Sequence, residues 1–163
     1  MKTLSESEML HRAAAYCSAS EHCVQDVEKK LKASGLPEEA CNRILTRLLE
    51  ERFIDERRFA RYFVSDKLRF NKWGRVKINY ELQKRGIAAE IRSEAMDSIP
   101  EQLYEDTLLD LLRGKMKTTR GKDERERYLK LLRFAAGRGF EMRESVRCLK
   151  QLFKGNTYDE DME

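Results

Sequence analysis

Leu31-Lys32-Ala33-Ser34-Gly35-Leu36 returns as Leu82-Gln83-Lys84-Arg85-Gly86-Ile87 and again as Ala135-Ala136-Gly137-Arg138-Gly139-Phe140. The second glycine of the last copy and the lone glycines of the others stand at positions 35, 86 and 139, which are 51 and 53 residues apart. A glycine just past a helix can take the left-handed conformation, so that the next residue folds back onto the side chain five positions earlier. The phrase therefore predicts three helix ends of one design, pairing Leu31 with Leu36, Leu82 with Ile87 and Ala135 with Phe140. One turn upstream stand Val27, Ile78 and Leu131. Downstream, Ile44/Leu45/Leu48, Ala95/Met96/Ile99 and Cys148/Leu149/Leu152 share the i, i+1, i+4 spacing of a buried helical stripe. The chain reads as three copies of one helical unit, and repeats build surfaces more readily than pockets.

Working outward, Ser5-Glu6-Ser7-Glu8 is a capping box for a first helix through Tyr16. Ser20 is placed to cap a second helix reaching Gly35, and Pro37 with Glu38 and Glu39 to open a third. Asp55 is the expected N-cap of a helix whose buried stripe is Phe59, Ala60, Phe63, Val64 and Leu68. Asn71-Lys72-Trp73-Gly74 breaks that helix, and helices near 75–85 and 88–99 follow. Pro100 separates a last group near 101–115, 123–137 and 141–153, with Lys117–Lys122 as a mobile basic loop. No period-two run predicts a strand. The expected fold is all-α: three tandem three-helix, helix-turn-helix-like repeats at 1–53, 54–99 and 100–154 in an elongated, curved array, with an acidic tail at 155–163. A unit of this size buries only about 60% of its unfolded surface, so the copies must lean on one another.

Charged residues make up 38% of the chain and hydrophobic ones 40%, which suits helices with wide solvated faces rather than membrane spans. The N-terminus lacks the apolar stretch of a signal peptide, so a cytoplasmic protein is expected. Cys17, Cys23, Cys41 and Cys148 form no CxxC pair and read as buried reduced thiols. His11, Cys17, His22 and Cys23 match no zinc template, so no metal is expected. No glycine-rich phosphate loop or nucleophile–base pattern is recognisable, which argues against an enzyme and against a cofactor.

Charge is unevenly distributed. Residues 1–66 are near neutral, with 11 basic and 12 acidic side chains, whereas 67–92 hold eight bases against Glu81 and Glu90. Residues 113–147 carry 12 bases against five acids. Two basic blocks point to a polyanionic partner. In Lys67-Leu68-Arg69-Phe70-Asn71-Lys72-Trp73-Gly74-Arg75-Val76-Lys77 five bases mix with two aromatics. Phe70 is expected to seal the turn against the core, while Trp73 suits either the core or a stack on a base. The second helices end in Lys-Arg-Gly or Gly-Arg-Gly and offer few of the side chains that read base edges, which argues against sequence-specific readout.

Phe53-Ile54-Asp55-Glu56-Arg57-Arg58-Phe59-Ala60-Arg61-Tyr62, then Lys72-Trp73-Gly74-Arg75-Val76-Lys77-Ile78, Glu81-Leu82 and Lys84-Arg85-Gly86-Ile87, then Arg133 with Gly137-Arg138-Gly139-Phe140, resemble the signatures of the RecX family. The resemblance spans roughly residues 8–153. Ala135-Ala136-Gly137 departs from it, because a bulkier helix end is usual there. The resemblance implies three tandem three-helix repeats that dock in the helical groove of the RecA–single-stranded DNA filament. It also implies inhibition of filament growth, ATPase and strand exchange, while the short apolar runs argue against a membrane partner and a repeat array with capped ends is expected to work as a monomer. Charge clustering and the resemblance together nominate Lys67, Arg69, Lys72, Trp73, Arg75 and Lys77 as the contact to filament or DNA, single-stranded or double-stranded. Lys115, Lys117, Arg120 and Lys122 form a second anchor. The competing readings are a nucleic-acid-binding helical protein with no recombinase partner and an adaptor that binds protein through apolar surface.

Overall fold

The capping box forms as expected. The Glu8 N–H donates to Ser5 Oγ at 3.1 Å and the Ser5 N–H to a Glu8 carboxylate oxygen at 3.4 Å, opening α1 (Glu6–Ala19). The computed structural model describes residues 4–154, and the acidic tail lies outside them. Eight further α-helices follow in the described residues: α2 (Val24–Ala33), α3 (Glu38–Glu50), α4 (Glu56–Asp66), α5 (Arg75–Lys84), α6 (Ala89–Asp97), α7 (Glu101–Met116), α8 (Glu124–Gly137) and α9 (Met142–Leu152). Between α4 and α5 the chain makes one wide π-helical turn, Lys67–Asn71. Among the described residues there is no strand, and no helix is long and apolar enough to cross a membrane. The fold is an all-α helical repeat.

All three phrase glycines are left-handed, at φ 81°, 77° and 93°. In the second and third copies the fold-back bond forms, Ile87 N–H to Leu82 O at 3.1 Å and Phe140 N–H to Ala135 O at 3.0 Å. The first copy departs from this. There Ser34 competes, its hydroxyl donating to Leu31 O at 2.5 Å while accepting the Leu36 N–H at 3.2 Å. Ser20 does not cap α2. It ends α1 in an extended conformation, with its Oγ 3.0 Å from His22 Nε2. Cys23 takes the N-cap position instead, and the Asp26 carboxylate accepts its N–H at 3.4 Å. Asp55 caps α4 as expected, accepting the N–H groups of Arg57 and Arg58, both at 3.0 Å.

Two compact units divide the chain. One gathers the residues up to Phe63 with Leu82–Ala95, and the other gathers Val64–Glu81 with the residues from Met96 onward. The core of the first is Met9, Ala13 and Cys17 of α1, Val27 and Leu31 of α2, Ile44 and Leu48 of α3, and Ile54. The second packs α7, α8 and α9 against one another through Leu108, Leu112, Leu131, Ala135 and Leu149, with the Tyr128 and Phe153 rings edge to face at 5.6 Å. Cys17, Cys23 and Cys148 are buried and Cys41 half-buried, all as reduced thiols; burial pushes the Cys23 and Cys148 thiols up to about 11.

Candidate nucleic-acid interface

The expected break at Asn71–Gly74 is a built loop. Leu68 is buried and anchors the π-turn, and Lys72 turns the chain through a left-handed φ of 57°. That conformation costs a non-glycine residue about 1–2 kcal/mol. Local bonds offset part of the cost: the Trp73 N–H reaches Lys67 O at 3.1 Å, and the Lys72 ammonium donates to Arg69 O at 2.6 Å.

The turn that follows α8 holds this loop from the other side. The Gly74 N–H donates to Arg138 O at 2.8 Å and the Val76 N–H to Gly139 O at 2.9 Å. The Arg138 guanidinium reaches back to the carbonyls of Asn71 and Lys72. Backbone meets backbone so closely that a Cβ on Gly74 would lie 2.4 Å from Gly139, and one on Gly139 would lie 2.3 Å from Lys77 Cβ. The left-handed end of α8 thus caps the N-terminus of α5.

Beside this contact lies a polar cluster. The Arg75 guanidinium stacks 3.8 Å over the Tyr104 ring and pairs with Glu101 at 2.8 Å and Glu141 at 3.0 Å. Burial opposes its charge, but the two carboxylates outweigh burial and hold the group more basic than usual. The fully buried Tyr104 hydroxyl accepts the Arg75 N–H at 2.9 Å and donates to Glu141. Burial, then the Glu141 bond, push that phenol well above its ordinary range.

The ten nominated residues all lie in the second compact unit, where they play different parts. Lys67 and Lys77 set their ammoniums 5.3 and 4.7 Å from the half-buried Trp73 ring, so these three form one group. Arg69 and Lys72 are exposed, and Ser65 Oγ steadies Arg69 at 3.1 Å. Arg75 is turned inward, with 20% of its side chain exposed, and its two ion pairs commit it to bracing the fold. Lys115 sits 5.0 Å over the Phe134 ring, and Lys117, Arg120 and Lys122 are exposed on the following loop. That loop is pinned rather than loose: Arg127 donates to Met116 O at 2.7 Å and Thr119 O at 3.2 Å, and Lys130 to Arg120 O at 2.7 Å.

Phe70 corrects the sequence reading. It does not seal the turn; 78% of it is exposed, at the outer side of the π-turn. Arg138, Tyr104 and Glu141 were also not nominated from the sequence. Arg138 could have been found from its place in the repeat phrase, whereas Glu141 carried no signal.

Family models match the chain in two places. The RecX second three-helix domain covers residues 55–96 and the RecX third three-helix domain covers 103–148. The chain is 30% identical over 143 residues to the regulatory protein RecX of Prosthecochloris aestuarii, covering 88% of this chain and 92% of that one. It belongs to the RecX family. The RecX of Chlorobium phaeobacteroides is 31% identical over 82% of this chain and 86% of its own. The crystal structure of RecX from Lactobacillus salivarius shares the fold, with a TM-score of 0.79 at 19% identity over 90% of this chain and 96% of that one. The braced loop at 71–76 and the docked turn at 138–140 both fall within the matched domains.

Proposed function

We propose that this RecX-family chain regulates the RecA recombinase by binding the RecA–single-stranded DNA filament in its helical groove. Binding there slows filament growth, and with it the ATPase and strand exchange. The observation that carries this reading is the cationic loop of Lys67, Arg69, Lys72 and Lys77, pre-shaped by its bonds to Arg138 and Gly139. A loop already held in place loses little conformational entropy when it meets phosphates. The pinned loop bearing Lys117, Arg120 and Lys122 supplies the second anchor. Linked weak contacts along a polymer add through effective concentration, so no single site need be tight. Arg75 acts in this scheme as a brace. The division into repeats at 1–53, 54–99 and 100–154, a monomeric state and a cytoplasmic location belong to the same proposal.

The test is the single-stranded-DNA-dependent ATPase of the cognate RecA, titrated with this protein. A fall at ratios well below one per recombinase subunit is the expected result. Lys72→Ala/Lys77→Ala keeps the packed Cβ of Lys77 and is expected to weaken inhibition and flatten its salt dependence. An unchanged ATPase with tight binding to bare DNA would instead leave a general nucleic-acid binder. Binding that ignores salt would point to an apolar adaptor.

A further inference from the structure

Among the described residues Phe70 is the most exposed of the large hydrophobic side chains, with 78% of it open to solvent. In a straight helix it would lie seven residues, two turns, beyond Phe63 and on the same buried face. The π-turn takes it off that face, and such turns inside α-helices are frequent at functional sites. Its flanks are cations held in place: Arg69 by Ser65 Oγ at 3.1 Å, and the Lys72 ammonium by Arg69 O at 2.6 Å.

We infer that Phe70 stacks on an unpaired nucleobase while Arg69 and Lys72 neutralise the adjoining phosphates. The surface is thereby selective for single-stranded over duplex nucleic acid. This rests on the polyanion contact proposed above and adds to it the part that recognises an open strand. An aromatic plane between fixed cations matches a nucleotide, which presents a π-face next to negative charge. In a duplex both faces of each base are already covered by their neighbours, so the ring has nothing to stack on. A protein partner would call for apolar side chains beside the aromatic anchor, whereas the exposed residues next to Phe70 along the turn are the cations Arg69 and Lys72.

The test uses the full chain and three labelled probes: oligothymidylate, a strand of the same length made of abasic units, and a duplex. Wild type is expected to prefer oligothymidylate to both others. Phe70→Ala is expected to lose about five- to one-hundred-fold on oligothymidylate and nothing on the abasic strand. Its salt slope stays that of wild type, because the phosphates contacted are unchanged. Phe70→Tyr restores affinity. Since the ring is exposed, far-UV circular dichroism and Trp73 emission without DNA report that each variant is folded. Equal affinity of Phe70→Ala and wild type for oligothymidylate would overturn the inference, as would an equal loss on the abasic strand. Phe70→Ala that keeps its DNA affinity but loses RecA inhibition would place the ring against protein and overturn stacking alone. Wild type that binds none of the probes would remove the polyanion contact itself.

Discussion

Gly74→Ala isolates the contact on which the candidate interface is built. Gly74 has no left-handed φ, so alanine meets no conformational penalty there; the cost is purely steric. The new Cβ would stand 2.4 Å from the carbonyl carbon and oxygen of Gly139 and from the Phe140 nitrogen. Non-bonded carbons prefer about 3.5–4.0 Å, so the two segments must part by roughly 1 Å, and neither is a side chain that can swing away. That separation breaks the Gly74–Arg138 and Val76–Gly139 bonds, now 2.8 and 2.9 Å. Leaving the buried Gly74 N–H unpaired costs about 1–3 kcal/mol and losing the bond of the more exposed Val76 about 0.5–1.5 kcal/mol, less about 0.4–1 kcal/mol that alanine returns by restricting the unfolded chain. The net loss is about 1–4 kcal/mol. Gly86→Ala is the control, with open space around its Cβ but a φ of 77°, so it should lose only about 1–2 kcal/mol. Gly139→Ala suffers both penalties and should be worst. The assay is urea unfolding followed by emission of Trp73, the single tryptophan, one residue from the substitution. Gly74→Ala within about 0.5 kcal/mol of wild type would refute the reasoning.

Two further outcomes follow from the polar groups. Tyr104→Phe leaves the Arg75 N–H without its acceptor and is expected to cost about 2 kcal/mol, a fall in Tm of about 4–8 °C by thermal melt; an unchanged Tm would mean that the hydroxyl is dispensable. Asp55→Ala is expected to cost about 1 kcal/mol at neutral pH. The Arg58 N–H, then the Arg58 charge and the Arg57 N–H, hold the Asp55 carboxyl below its usual range despite partial burial. Its contribution is therefore complete above the unfolded value near about 4 and lost as pH falls through the lower folded value. Paired melts should show the two proteins converging below that pH, and a gap that persists there would count against the cap.

The helical architecture was legible because it is local. Gly35, Gly86 and Gly139 announce their helix ends, and the stripe Phe59–Leu68 announces its buried face. What stayed hidden depends on competition or on distance. Ser34 and Asp26 each offer the backbone a second partner, and periodicity cannot tell which one wins. Phe70 keeps the helical phase of Phe63 in the sequence, so the widened turn that exposes it leaves no trace in the spacing. Arg75 reads as one more base in a basic run, and only the fold brings Glu101 and Glu141 to it.

The bonds from Gly74 and Val76 to Arg138 and Gly139 also set an order in time. The loop that carries Lys72 and Trp73 takes its final shape only after the chain has been made as far as Phe140, 66 residues beyond Gly74. At ribosomal rates that delay is about 3–13 s, during which the earlier helices can already pack. A nascent or prematurely ended chain therefore carries the positive charges of this loop without its geometry, because the part that shapes the loop is made long after the loop itself.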